Sequence, residues 1–322
     1  MEVFFFEAFE EEAEAFKQNL PNQIKAGFAW ETIQEYSVQD PPAPLISIRT
    51  QSKIPIEWAS ELSGILSRST GYDHIQIYLQ NCHGHVHCGY LPLYCNRAVA
   101  EQSMLMWMSL LRKLPQQLDK FSHFNRDGLM GQECESKTLL VVGVGNIGYE
   151  IVKIGQGLGM NVLGVDIVQR HDSVTYVPIE EGIGKADVIV CAMNLTSENR
   201  GYFNYRLLKR AKPGIVFVNV ARGELSPSAD LLCLLDEDHL GGVGLDVYNE
   251  ESELAVSLRT SSSSNNEEVQ AALSLTQRSN VILTPHNAFN TQEAVERKVV
   301  QSIQQITHFF KSGQFLWPVP NS

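Results

Sequence analysis

The stretch LLVVGVGNIGYEIVKIGQGLGMNVLGVD, residues 139–166, decides the fold. Residues 139–142 form an apolar run suited to a buried parallel strand. Gly143, Gly145 and Gly148 follow as G-x-G-x-x-G where that strand should turn into a helix. Each glycine has its own task. The first permits a tight turn, the second lets the backbone approach a pyrophosphate, and the third lets helix and sheet pack closely, with the phosphate charge resting on the helix N-terminus. Asn146 and Ile147 complete the turn and join the glycines as candidate cofactor-binding residues. Ile147, Ile151, Ile154 and Leu158 then repeat at helical spacing, Gly159 is the expected stop, and a second strand over 162–165 ends at Asp166. An acidic residue at that strand tip accepts hydrogen bonds from a ribose and repels a 2′-phosphate, so the motif predicts NAD in preference to NADP. Arg170 is the reservation, since a loop folded back would bring it to a phosphate; a solvated loop arginine is the plainer reading.

Outward from this unit, strands are expected at 138–142, 162–165, 187–192, 215–220, 243–247 and 281–283, with helical segments between most of them. That alternation means a mainly parallel, doubly wound α/β sheet. The first hundred residues repeat the style more loosely, with strands at 3–6 and 45–48, an acidic helix over 9–19 and a helix over 56–66, and read as a smaller second domain. The segment 98–114, AVAEQSMLMWMSLLRKL, is apolar nearly all round and is expected at a domain or subunit interface, its Met104, Met106, Trp107 and Met108 as core. Near the C-terminus, Asn290 and Glu293 resemble a capping pair, Val295, Val299, Ile303, Ile306 and Phe310 mark one helix face, and Gly313 ends the helix. Such a helix can cross back to the first domain, giving 1–100 plus 290–322 for the smaller domain and 101–289 for the dinucleotide-binding one. Residues 260–268, TSSSSNNEE, read as a polar loop.

A chain of 322 residues suits two domains, each with its own core. The formal charge of −12 argues against nucleic-acid or anionic-membrane partners, which require a basic surface. No stretch approaches the roughly 18 apolar residues of a membrane span, and the acidic start MEVFFFEAFEEE lacks the basic region of a secretory signal, so cytoplasmic residence is expected. Six scattered cysteines do not make a disulfide framework and are expected as free thiols. The segment CHGHVHC, residues 82–88, invites a metal reading, because alternation would align His83, His85 and His87 on one strand face. No second cluster supplies the remaining ligands of a closed zinc site, so no metal is expected.

Three ionisable residues stand at or just beyond expected strand ends, where ligands bind in open α/β sheets: Arg222 in NVARGE, Glu251 in GLDVYNEE and His286 in LTPHNAF. Hydride chemistry on a small acid needs a fixed cation for the carboxylate, a proton donor for the oxygen, and a carboxylate to tune that donor. Arginine matches a planar carboxylate best, and an imidazole beside a carboxylate keeps a proton available near neutrality. Singly, each has a bland alternative: a strand-end cap, one more solvated acid, a turn histidine held by Pro285. Their joint occurrence favours the chemistry.

GVGNIG with Asp166, NVARGE, GLDVYNEE and LTPHNAFNT resemble the successive motifs of the D-isomer-specific 2-hydroxyacid dehydrogenase family, and Arg49, RSTGYDH (68–74) and NRAVAE (96–101) fit its catalytic-domain pattern. The resemblance implies two Rossmann-like domains, a doubly wound NAD-binding domain and a smaller flavodoxin-like substrate (catalytic) domain. It implies an NAD-dependent oxidoreductase interconverting a 2-oxo acid and a D-2-hydroxy acid, and a homodimer. Arg222 would bind the substrate carboxylate and polarise its carbonyl, His286 would be the acid/base and Glu251 its partner. Amides around Gly71 and Tyr72 would hold the other carboxylate oxygen, Asp246 would hydrogen-bond the nicotinamide carboxamide, and Ala221 would touch the cofactor. LYCNRAVAE is similar to the stretch of D-lactate dehydrogenases in which a tyrosine lines the substrate pocket, making Tyr94 a candidate pocket residue with interdomain packing as its alternative. Ser252, Asn194 and Ser136 depart from a common proline, proline and glycine of the family. Formate dehydrogenases of this fold pair the histidine with glutamine, which Glu251 argues against. A rival of another class is an NADH-sensing corepressor or scaffold with little turnover.

Overall fold

The computed structural model describes residues 1–82, 86–260 and 262–320. In chain order the first elements are β1 (Val3–Phe5), α1 (Glu10–Asn19), β2 (Ala26–Phe28), α2 (Ile33–Tyr36), β3 (Leu45–Ile48), β4 (Gly64–Ser67), α3 (Asp73–Asn81) and β5 (His87–Gly89). Next come α4 (Asn96–Leu111), α5 (Leu114–Lys120), β6 (Thr138–Val142), α6 (Asn146–Gly157), β7 (Asn161–Val165), β8 (Thr175–Tyr176), α7 (Ile179–Gly182) and β9 (Val188–Cys191). The remainder are α8 (Tyr205–Leu208), β10 (Ile215–Asn219), α9 (Ser228–Asp236), β11 (Leu240–Leu245), α10 (Glu251–Thr260), α11 (Glu267–Leu275), β12 (Val281–Leu283) and α12 (Gln292–Ser312).

The chain divides into two compact units, one of Met1–Cys95 with the segment from Asn290 onward, the other of Asn96–Phe289. In the first, five parallel strands run in the order β2-β1-β3-β4-β5, the flavodoxin-like winding. In the second, seven parallel strands run β12-β11-β10-β9-β6-β7-β8, the Rossmann order with an added edge strand. Strand order reverses between β6 and β9, and the glycine turn of residues 143–148 leaves the carboxyl end of β6, at that switch point. The central strands are continuous apolar runs, LLVV, VIVC and IVFV, because both faces are covered. Both sheets are α/β layers of the Rossmann type.

Several expectations change. Residues 56–66 do not form a helix: a 3-10 turn at Ile56–Ser60 is followed by β4, which pairs along β3. Thr291, not Asn290, caps α12, its hydroxyl accepting from Ala294 N at 3.2 Å. Of the expected face of α12, Val299 and Ile306 are buried, together with Ala294, Lys298, Ser302, Gln305 and Phe309, while Phe310 is exposed. Of its polar members, Gln305 is satisfied on backbone groups, Nε2 donating to the Tyr90 carbonyl at 2.8 Å, and Lys298 faces the Glu12 carboxylate at 3.4 Å. The loop read at 260–268 is shorter, because Asn266 caps α11 and Glu267 and Glu268 lie in its first turn. The apolar helix α4 packs against α6, β10 and β11 of its own unit, burying Met106 and Trp107 there. Ser136, where a glycine is common, adopts a left-handed φ of 63°, which explains that glycine. Ser252 falls in the first turn of α10, where proline and serine are both accommodated because the amide there has no intrahelical partner.

All six cysteines are free. Of the CHGHVHC segment, residues 83 and 85 lie outside the described residues; His87 opens β5 and is exposed, and burial together with the neighbouring Cys82 pushes the Cys88 thiol up to about 12. Among the described residues no group of three or more His, Cys, Asp or Glu side chains is arranged to hold a metal ion, and no helix is long and apolar enough to cross a membrane.

Candidate active site

The glycine turn shows in atomic terms why each glycine is needed. Gly143 has φ of 90°, and a Cβ there would collide with the Met193 backbone. At Gly148 a Cβ would lie 2.9 Å from the carbonyl carbon of Gly143 and closer still to its oxygen. At Gly145, the residue preceding α6, a Cβ would meet nothing within 4 Å. Two glycines are therefore demanded by the protein's own packing and the middle one is not, which leaves its open face as the approach for a ligand. Gly145 also offers no side-chain oxygen to the first-turn amides of α6, the arrangement of an anion-binding helix start. The residues fit a dinucleotide.

Asp166, at the end of β7, is half-buried and stapled to this turn: Oδ2 accepts from Val144 N at 2.6 Å and Oδ1 from Val168 N at 2.9 Å. A carboxylate has about four acceptor sites, so two bonds leave capacity for a ribose. Asn146 is exposed and Ile147 half-buried. The loop beyond Asp166 is held by a stack of Tyr149 on His171, centroids 3.7 Å apart and planes 6° apart; nothing in the sequence pointed to that pair. Arg170 is exposed.

The Arg222 turn is organised by Asn219, which is fully buried at the end of β10. Its Oδ1 accepts from Ala221 N at 2.9 Å, and its Nδ2 donates to the Arg222 carbonyl at 2.9 Å and to Ser226 Oγ at 2.7 Å. Arg222 is extended and half-buried, with Nη1 donating to the Ala221 carbonyl at 2.8 Å. A Cβ at Gly223 would overlap the Tyr248–Asn249 backbone, so the arginine turn is pressed against the segment leading to Glu251.

His286 Nδ1 lies 2.8 Å from Glu251 Oε1 and 3.0 Å from Oε2. With Nδ1 donating to the carboxylate, Nε2 is the nitrogen presented for chemistry. The side chains are 26% and 24% exposed, so the pair is reachable yet partly shielded. His286 and Glu250 both adopt left-handed conformations, φ 50° and 55°, which non-glycine residues occupy at a cost of about 1–3 kcal/mol. The surroundings enforce this. Asp246 is 1% exposed, its Oδ1 accepting from Thr284 Oγ1 at 2.5 Å and Asn287 N at 2.8 Å, its Oδ2 from Ala288 N at 2.9 Å. Burial pushes the Asp246 carboxyl above its usual range against the pull of these donors. The side chain that the resemblance aims at a nicotinamide carboxamide also clamps the turn that carries His286, three of its about four acceptor sites being filled from within. Tyr248 Oη lies 2.8 Å from the Thr284 carbonyl and 3.1 Å from that of Leu245. Asn219, Thr284 and Tyr248 stood within the quoted motifs, but their supporting role was not drawn from them.

In the other unit, the turn after β4 carries Gly71 and Tyr72. Ser69 Oγ donates to the Gly71 carbonyl at 2.7 Å, and the Tyr72 ring sits 4.9 Å from that of Tyr90 at 70°. This turn is tied to the segment of Tyr94: Leu91 N donates to the Ser69 carbonyl at 3.1 Å, and Thr70 Oγ1 lies 3.2 Å from Cys95 Sγ. Tyr94 itself is 4% exposed, and burial, with Cys95 beside it, raises its hydroxyl well above the usual tyrosine range.

A dinucleotide cradle at the switch point of a Rossmann sheet, with a histidine–carboxylate pair in the same unit, defines an NAD-binding oxidoreductase. Residues 103–288 match the model of the family described as D-isomer specific 2-hydroxyacid dehydrogenase, NAD binding domain. A D-lactate dehydrogenase of Streptococcus agalactiae is 30% identical over 256 residues, 77% of this chain and 76% of that protein. An aromatic 2-oxoacid reductase of Clostridium sporogenes is 28% identical over 229 residues, 69% of this chain and 68% of that one. The crystal structure of a D-lactate dehydrogenase from Aquifex aeolicus, complexed with NAD and lactic acid, superposes with a TM-score of 0.84 at 26% identity, covering 98% of both chains. The chain belongs to the D-isomer-specific 2-hydroxyacid dehydrogenase family, and its cofactor is NAD.

Proposed function

We propose that this protein is an NAD-dependent dehydrogenase that interconverts a 2-oxo acid and a D-2-hydroxy acid, with Arg222, His286 and Glu251 as its catalytic residues. The observation that carries the reading is the approach of both Glu251 carboxylate oxygens to His286 Nδ1 at 2.8 and 3.0 Å, with His286 and Glu250, the residue before Glu251, held in left-handed conformations.

When bound, the reduced nicotinamide supplies a hydride to the substrate's carbonyl carbon. His286, protonated, gives the Nε2 proton to the carbonyl oxygen, so the ketone gains a hydride and a proton and becomes the alcohol. Glu251 fixes the ring orientation and supports the imidazolium. Arg222 anchors the carboxylate and polarises the carbonyl. Gly71 and Tyr72 offer backbone amides to the second carboxylate oxygen, and Tyr94 borders the side chain of the acid. Gly143, Gly145, Asn146, Ile147, Gly148, Asp166 and Ala221 bind the cofactor. Asp246 hydrogen-bonds the nicotinamide carboxamide and holds the His286 turn.

The reading includes cytoplasmic residence, supported by six free thiols. It also includes a homodimer, supported by a run of exposed apolar side chains, Leu114, Leu118, Phe121, Phe124 and Met130, over and beyond α5 rather than by the interior of α4.

The test is NADH oxidation across 2-oxo acids from glyoxylate and pyruvate to branched and aromatic side chains, since the relatives are named for substrates from lactate to aromatic acids. Rapid turnover of any member is expected. Silence across the panel with tight NADH binding would favour the corepressor or scaffold reading instead.

A further inference from the structure

The first unit holds a charged cluster in its interior that the chemistry above does not use. Arg68 is 0% exposed and saturated: Nε meets Glu12 Oε1 at 2.8 Å, Nη1 donates to Ser47 Oγ at 3.0 Å, and Nη2 donates to the Phe6 carbonyl at 2.6 Å. Lys298, 1% exposed, brings Nζ to 3.4 Å from Glu12 Oε2 and to 5.7 Å from the centroid of the Tyr94 ring. The preceding residue of α12, Arg297, donates from Nε to the Tyr94 carbonyl at 2.8 Å. Two consecutive helix residues thus grip one tyrosine at both ends, one at the backbone and one at the ring.

We propose that Arg297 and Lys298 are positioning residues that clamp Tyr94 and thereby set the affinity for the 2-oxo acid without touching it. This rests on the reading of Tyr94 as a residue bordering the substrate. A lysine is a poor choice for filling this space: an aliphatic side chain of like length would avoid desolvating a charge, and buried ion pairs are weak stabilisers. Burial, opposed by Glu12 and aided by the charges of Arg49 and Arg68, brings the Lys298 amine down to about 8. The groups facing it are Glu12 on α1, Arg68 after β4, Arg49 after β3, and Tyr94 with Cys95 on the segment preceding α4. A cation over the ring face has an electrostatic hold on it that an uncharged amine lacks.

The experiment compares wild type, Lys298→Met and Arg297→Gln. Steady-state kinetics are run on the best acid of the panel from pH 6.5 to 9.5, alongside hydrogen exchange of amides 91–95 and thermal unfolding. At pH 7 the Lys298→Met enzyme should show KM raised about 2- to 30-fold, the span of one cation–π contact, with kcat within about twofold. Wild-type KM should climb toward the variant's value as pH passes about 8, while the variant's profile lacks that step. Amides 91–95 should exchange faster in both variants, and Lys298→Met should still unfold cooperatively. Unchanged KM and unchanged exchange in both variants overturn the clamp, as does a joint fall of kcat, KM performance and melting temperature, which marks a merely structural role. If wild type turns over no acid, the dehydrogenase reading fails separately, and the exchange of 91–95 still decides whether the clamp exists.

Discussion

Replacing Gly145 and Gly148 by alanine should separate what the glycine turn does for the cofactor from what it does for the fold. Gly145 has φ −78° and ψ −154°, a conformation open to alanine, and a Cβ there meets no atom within 4 Å. Lower chain entropy in the unfolded state favours alanine by about 0.4–1 kcal/mol, while alanine is a poorer residue than glycine before a helix by a similar amount. The apo protein should therefore keep its stability to within about 1 kcal/mol. The methyl group does, however, fill the approach of the pyrophosphate to the α6 amides. Losing one charge-assisted hydrogen bond, worth about 1.5–3 kcal/mol, weakens NADH binding by about 10- to 150-fold. Gly148→Ala should behave in the opposite way. Its Cβ stands 2.9 Å from the Gly143 carbonyl carbon, a backbone atom that cannot swing aside. Overpacking of this kind costs about 1–3 kcal/mol or more even without ligand. At about 2–4 °C per kcal/mol for a domain of this size, the apo melting temperature falls by several degrees. The assays are calorimetric unfolding of the apo variants and NADH titration by nicotinamide fluorescence. The reasoning is refuted if Gly145→Ala binds NADH like wild type, or if its apo melting temperature falls as far as that of Gly148→Ala.

Arg222→Ala should lose catalytic efficiency far more than NADH affinity, by at least the about 1.5–3 kcal/mol of a charge-assisted contact; equal losses in steady-state kinetics and NADH titration would sink its assignment to the substrate. His286→Gln should abolish turnover with circular dichroism and NADH binding retained, and full activity in that variant removes the acid/base role. In Glu12, burial alone would raise the carboxyl, but Arg68, Lys298 and Arg49 outweigh it and hold it at about 2. Its folded value lies below its unfolded one, so the unfolded chain binds more protons between about 2 and 4.5, and stability of about 3 kcal/mol present above that window is lost as pH falls through it. Hydrogen exchange of the β1, β3 and β4 amides should show this loss in wild type; Glu12→Gln, with Arg68 and Lys298 left uncompensated, should already be destabilised by about 3–5 kcal/mol at pH 7 and show no such acid step. Light scattering should give a dimer, and Phe121→Glu with Phe124→Glu should give a monomer; a wild-type monomer ends that part of the reading.

What the sequence shows and hides follows from which interactions are local. The second unit was legible because its central strands are continuous apolar runs and its glycines are gathered in one turn, where Gly148 is dictated by the Gly143 carbonyl five residues back, though Gly143 itself is dictated by the distant Met193 backbone. The candidate site was legible for a similar reason, since Arg222, Glu251 and His286 each follow a strand end. The first unit resisted reading. Its strands β2, β4 and β5 are AGF, GILS and HCG, too short to show a period, and residues 56–66 resemble a helix until pairing with β3 claims Gly64–Ser67. Gly64 is glycine because the Phe309 ring, some 245 positions on, would stand 2.7 Å from any Cβ there, a contact no local pattern contains. The supports of the site were hidden for a further reason. Glu12 sits among acids that read as a solvated face, and Lys298 on a helix whose apolar residues draw attention to the adjacent side; both are buried because each supplies the other's counter-charge from a different element. That Asp246 also holds the Thr284–Ala288 turn through three donors could not be read from its motif, because those donors lie some forty residues on. The candidate residues lie in motifs, whereas those that hold them in place are fixed by partners far away in the chain, so the His286–Glu251 pair could be named from sequence while the cause of its geometry could not.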